Sequence, residues 1–203
     1  MQTFSLNPTS PRRMRVRILE LRSPIVFDTD CISSFLWVRS IDLVVQTMAD
    51  CALLVPSQVI AELGELMRFP DYRFVPQLMH DHIHRGHFQT MNTLAADAVA
   101  DEYFRLTQAS RKPRPLGPGE AAVLSYVRLQ GGTVASNNLR DVRAYCERYY
   151  MGLITTADIM CHAVAQGMMT VAEGEYLWEG MKARRRRLPD GDFADALRRF
   201  QGV

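Results

Sequence analysis

Two short β-type runs in this chain end in side chains able to do chemistry. PIVF (residues 24–27) runs straight into Asp28, and TVAS (133–136) ends in Asn137 and Asn138, with Asp141 three positions after Asn138. An acid that starts beside an apolar core is costly unless it is paired or metal-bound, so Asp28 reads as functional. Asp30 follows two positions later, and the run ALLV (52–55) leads through Ser57 to Glu62. Carboxylates gathered in one place repel and hold one another's pKa values up. A hard divalent cation relieves that repulsion, and Mg²⁺ or Mn²⁺ accepts oxygen ligands while keeping several waters. Such an ion polarises a phosphoryl oxygen, so the reaction class implied is phosphodiester hydrolysis. The asparagine pair at 137–138 leaves three readings open: an unusual ligand, a dead site, or a plain loop.

The elements between these runs explain how distant residues can meet. CISSFLWVRSIDLVVQTM (31–48) reads as a helix, and SQVIAELGELMRF as a second with Ser57 at its N-cap. Residues 70–113 read as helix-rich, with Met91, Leu94, Ala95, Ala98 and Val99 at helical spacing. EAAVLSYVRLQ, opening at Glu120, is a helix ended by Gly131 and Gly132. LRDVRAYCERYY follows TVAS as a helix, GLIT (152–155) is a further strand, and ADIMCHAVAQG is again helical. RVRILELR (15–22) alternates as an edge strand would. Strands alternating with helices predict an α/β fold, a three-layer α/β/α sandwich on a mainly parallel sheet. Right-handed crossovers then bring the strand C-termini to one edge, where open sheets bind ligands. The expected organisation is an arm with an edge strand at 1–23, one domain over 24–166, and a helical extension over 167–203 packed on it.

Composition bounds the rest. With 203 residues, 47% hydrophobic and 23% charged, the chain reads as an ordinary globule, and a net charge of +2 does not by itself announce nucleic-acid binding. The four cysteines form no CxxC pair and read as free thiols of a reducing cytosol. No apolar run reaches the ~18 residues of a membrane span, and the first residues lack a signal-peptide core, so a cytoplasmic protein is expected.

The order IVFDTDCISSFL, VPSQVIAEL, GPGEAAVLSYV, VASNNLRDV resembles the PIN-domain ribonucleases, including the VapC-type toxins, over residues 24 to 160. The resemblance implies a PIN-like sandwich and a Mg²⁺- or Mn²⁺-dependent endoribonuclease. It implies that Asp28, Glu62 and Glu120 carry the metal, with Asn138 and Asp141 as the last corner. Asp28 and Glu120 would be the principal ligands, and Glu62 a further ligand or water-orienting base. Asn138 stands where many members have an acid, which should weaken metal binding, and Asp141 is placed to restore the charge. Arg140 and Arg143 lie near that corner as candidates for holding RNA phosphates. A small antitoxin over the acidic rim and a homodimer are the protein partners implied.

Each residue also has a structural role available. Asp30 and Glu120 suit the positive end of a helix dipole, Asn137 suits a turn, and Asp158 suits a capping box. MHDHIHRGH (79–87) reads as a polar helix face and turn, although His80 and His84 have the i, i+4 spacing of metal ligands. Lys182 to Arg187 reads as a solvated helix end, or less readily as a phosphate patch. The competing functional reading is a degenerate PIN-like module that binds RNA or protein without cutting. A nucleotide-binding doubly wound domain is disfavoured, because neither GxGxxG nor GxxxxGK[ST] occurs.

Overall fold

The computed structural model describes residues 21–108, 114–189 and 191–202. Its centre is a five-stranded, wholly parallel sheet in the order β3-β2-β1-β4-β5. The strands are β1 (Ile25–Phe27), β2 (Leu53–Pro56), β3 (Gln89–Met91), β4 (Thr133–Ala135) and β5 (Gly152–Ile154). Ile25 lies opposite Leu53 on one side and Thr133 on the other, so β1 is the middle of the sheet.

Helices α1 (Thr29–Trp37), α2 (Ile41–Thr47), α3 (Ser57–Gly64) and α4 (Phe74–His84) come from the first half of the chain. α5 (Asp97–Thr107), α6 (Pro118–Gln130), α7 (Leu139–Arg148), α8 (Thr156–Ala165), α9 (Val171–Ala183) and α10 (Phe193–Gln201) complete the α-helices among the described residues. The two-residue alternation of a strand sorts them into layers. Ile25 and Phe27 share one core with buried residues of α1–α4 and α8–α10, whereas Val26 and Val134 share the other with α5, α6 and α7. The three-layer α/β/α sandwich expected from the sequence is thus present.

α9 and α10 are built into the first of those cores through Trp178, Met181, Phe193 and Phe200. The Trp178 and Phe193 rings lie 5.9 Å apart, and Phe193 is seated against the α-carbon of Gly174. A Cβ at Gly174 would stand 2.2 Å from the Phe193 ring. Gly174→Ala should therefore cost about 2 kcal/mol despite the better helix propensity of alanine. Thermal unfolding checks this: a melting temperature equal to wild type would mean that Phe193 yields freely.

Several expectations are corrected. The single helix over 31–48 is two, because the chain turns at Arg39 with φ 55 and the Ser40 N–H reaches back to the Phe35 carbonyl. A left-handed residue that is not glycine leaves no mark in the sequence. Met91 belongs to β3, Leu94 and Ala95 to a 3₁₀ turn capped by Asn92, and the helix starts only at Asp97. β3 pairs with β2 alone, so an edge strand needs no apolar run. Pro56 holds the N-cap position of α3, and the Ser57 hydroxyl bonds Gln58 instead. Of the expected edge strand at 15–22, only Leu21 and Arg22 fall within the described residues; the rest of 1–23 up to residue 20 lies outside them. Cys31, Cys51, Cys146 and Cys161 are all free thiols. No helix among the described residues is long and apolar enough to cross a membrane.

Candidate functional site

β1 and β4 are neighbours in the sheet but lie far apart in the chain, and the order of strands reverses between them. At such a switch point the two crossovers leave in opposite directions and open a crevice beyond the strand C-termini. Asp28 stands in that crevice, 1% exposed. Its backbone N–H continues the ladder to the Ala135 carbonyl at 2.9 Å. Its side chain caps α1 by accepting the Cys31 N–H at 2.7 Å, and its second oxygen accepts the Ser136 hydroxyl. Ser136 in turn accepts the Asn138 N–H at 3.1 Å, tying the two strand ends together. Burial pushes the Asp28 carboxyl up to about 8; the Ser136 and Cys31 bonds oppose this, and the charges of Asp30 and Glu120 add to it.

Asp28, Thr29, Asp30, Glu62, Gly117 and Glu120 line a cleft of about 150 Å³. The loop that carries Gly117 leads into α6, whose first turn must pass close to α3. Gly119 makes the close approach: its N–H bonds Glu62 at 2.9 Å, and a Cβ there would stand 2.9 Å from the Glu62 carboxylate. The other Glu62 oxygen accepts the Thr29 hydroxyl. Glu62 is thus fixed from both sides, while Glu65, three residues on, is exposed and pairs with Arg68.

Glu120 is half-buried in the first turn of α6, and its carboxyl is raised by burial, with the nearby charge of Asp141 adding to the effect. Asn138 occupies the N-cap position of α7 without capping it. Its side-chain amide donates to Glu120 and, at 2.7 Å, to Asp141. Burial works to raise Asp141, but its bonds from Arg114 and Asn138 prevail and hold it below the usual carboxylate range. Asn138 therefore presents its nitrogen rather than its oxygen to Glu120 and Asp141.

Asn137 has a separate job. Its amide accepts the Thr156 N–H at 2.9 Å and donates to the Thr156 hydroxyl and the Arg187 carbonyl. Asp158 completes a capping box with Thr155, the structural role available to it from the sequence. Arg140 and Arg143 are exposed on α7, and Arg140 is close enough to help lower Asp141. The basic run after α9 is not simply a solvated helix end. Arg187 pairs with Asp30 at 3.2 Å, while half-buried Arg186 bonds Ser33 at 3.1 Å and lies over the Trp37 ring.

The donor set of the cleft is made of carboxylate oxygens, which fits a hard divalent cation better than any softer ion. Among the described residues, however, no three rim acids bring one oxygen each within 4.8 Å of the others, since each is held by its own hydrogen bonds. Sequence reasoning gave Thr29, Gly119, Ser136, Arg114 and Arg187 no role of their own in holding the rim acids. Only Gly119 carried a signal, in the breaker-rich GPGE that precedes α6. Comparison of the chain with protein-family models, with curated proteins and with solved structures gives no match in any of the three.

Proposed function

We propose that the chain is a Mg²⁺- or Mn²⁺-dependent ribonuclease of the PIN type, hydrolysing phosphodiester bonds in the cleft at the sheet's switch point. The observation that carries the reading is Asp28: a carboxyl buried at a strand end, its pKa raised, and facing further acids across a cleft. Capping α1 needs only a neutral acceptor such as serine or asparagine, so that role alone does not account for so costly a group there. Asp28 and Glu120 would hold the cation, with Asp141 and Asn138 at the next corner. The ion, when bound, supplies Lewis-acid polarisation of a phosphoryl oxygen. Glu62, fixed by Thr29 and Gly119, is positioned to orient water and take its proton. Arg140 and Arg143 offer exposed positive charge for the RNA phosphates. A small antitoxin over the rim and self-association belong to the same proposal.

Incubating the protein with structured and single-stranded RNAs under EDTA, Mg²⁺ or Mn²⁺ tests it. Cleavage that needs the ion supports the nuclease. RNA bound but left intact under every ion, with no Mn²⁺-dependent thermal shift, moves the assignment to a non-cutting module.

That second reading has its own support. The Asn138 amide satisfies Glu120 and Asp141 together, and Arg114 pairs with Asp141, so this corner is neutralised without a metal. Asn138→Asp separates the two. It places a third carboxylate against Glu120 and Asp141 and removes both hydrogen bonds. The metal-free protein should lose about 2 kcal/mol, while Mn²⁺ affinity by calorimetry should rise on the order of tenfold. A variant that is destabilised yet still binds no Mn²⁺ would favour the non-cutting module.

A further inference from the structure

We propose a second cation site, for Zn²⁺ or a similar borderline divalent ion, formed by Asp42, His82 and His87 and clamping α2 to the turn that follows α4. The HDHIHRGH tract is not the uniformly polar face its sequence suggests. His80 and His84, the pair with helical spacing, are exposed, whereas His82 is 1% exposed.

The turn itself brings the imidazoles together. Gly86 adopts the left-handed conformation with φ 78, its N–H bonds the Ile83 carbonyl, and the His87 N–H bonds the His82 carbonyl at 3.0 Å. This double bond pattern folds the residue after the glycine back onto the last turn of the helix, where an apolar pair ordinarily meets. Here two histidines occupy those places. Their Nδ1 atoms lie 3.0 Å apart, and their ring centroids 5.0 Å. Two Zn–N bonds of ~2.0–2.1 Å at a tetrahedral angle span about 3.3 Å, so little movement is required to seat an ion on both nitrogens.

Asp42, on the first turn of α2, lies beside the His82 ring with its Oδ1 3.8 Å from Nε2. Its exposed carboxylate must swing from Nε2 toward the Nδ1 side to become the third donor of an ion held by the two Nδ1 atoms. One donor atom from each of the three residues falls within 4.8 Å of the other two. The Asp42 side chain is 66% exposed, which leaves a solvent-facing position for water as the fourth ligand. Imidazole nitrogen selects zinc-like ions and carboxylate oxygen selects magnesium-like ones. The chain would thereby sort two kinds of metal between two places. Without an ion, the two imidazoles form a plain hydrogen-bonded pair, and that is the alternative the experiment must exclude.

The full chain is titrated with Co²⁺ and Zn²⁺ in excess Mg²⁺, following the visible Co²⁺ spectrum and thermal unfolding. The expected result is one equivalent of Co²⁺ with nitrogen-ligand absorption, and a melting temperature raised by roughly 5–10 °C at ~100-fold Zn²⁺ over Kd. His87→Gln and Asp42→Asn lie at or near the surface and should still fold. Each should weaken Zn²⁺ binding at least tenfold, while His80→Gln and Asp28→Asn leave it unchanged. No Co²⁺ band in the wild type overturns the proposal. So does a Zn²⁺ shift that survives His87→Gln or vanishes in His80→Gln.

Discussion

Asp28→Asn is expected to raise the melting temperature of the metal-free protein and, in the same molecule, to lower metal-dependent RNA cleavage on the order of 10³-fold. Both effects have one cause. Burial holds the Asp28 pKa at about 8 in the folded chain, against 3.8 as the ordinary value. The folded state therefore binds this proton more tightly than the unfolded state does, and unfolding free energy falls as pH rises from about 4 to about 8. The ceiling is roughly 1.4 kcal/mol per pH unit, so the cost between pH 6 and pH 8 reaches about 2 kcal/mol. Asparagine keeps an oxygen for the Cys31 N–H and carries no charge, so the variant should lack this slope.

Unfolding in EDTA at both pH values, wild type against variant, measures it. A variant less stable than wild type at pH 8 would refute the account of burial, and wild-type cleavage by the variant would refute the account of catalysis. A divalent cation should also release a proton on binding near pH 7, readable as a buffer-dependent calorimetric enthalpy.

The second large effect lies within the layer of α5, α6 and α7. Glu102 on α5 is 7% exposed and accepts Arg105 at 2.5 and 2.7 Å, Arg128 at 2.6 Å and the Tyr145 hydroxyl. Burial alone would raise this carboxyl, but the bonds from Arg105, Tyr145 and Arg128 outweigh it and hold it at about 2. The depressed value means the network stabilises fully above the ordinary glutamate range and loses its contribution as pH falls through about 2.

Glu102→Ala leaves the Arg128 guanidinium and the Tyr145 hydroxyl only their long 3.4 Å bond to each other and the Tyr149 ring, and should cost about 3 kcal/mol, or roughly 6–12 °C in melting temperature. Part of that loss should disappear at pH 2.5, where the wild-type carboxylate is itself beginning to take up a proton. RNA cleavage at 25 °C should be untouched, because none of these residues lines the acidic cleft. An undiminished melting temperature would show that solvent at Arg105 replaces the network.

What could be read from the chain follows from what each feature depends on. β1 and β2 announce themselves because their residues are covered and continuous apolar runs record that cover, while β5, a half-covered edge, still shows through Leu153 and Ile154. β3 does not, since Gln89 and Thr90 are exposed at the edge and owe their conformation to β2 alone. Asp28, Glu62 and Glu120 were legible as rim residues because their place follows from local elements and the direction of the strands. Their partners were not. The Thr29 hydroxyl reaches Glu62 across 33 residues and Gly119 across 57, contacts that only the assembled layers define. The donor role of Asn138 was hidden for a different reason: a ligand and a bridge have the same residue type, and only the direction of the amide distinguishes them.

The middle position of β1 also sets a timetable. Asp28 and Ser136 are 108 residues apart, so at ~5–20 residues per second the hydroxyl is made roughly 5–20 s after the carboxyl it serves. Until then the central strand has β2 on one side and no β4 on the other, and the acids of the cleft have no common floor. The crevice is a late product of synthesis, completed only when the second half of the sheet docks against β1.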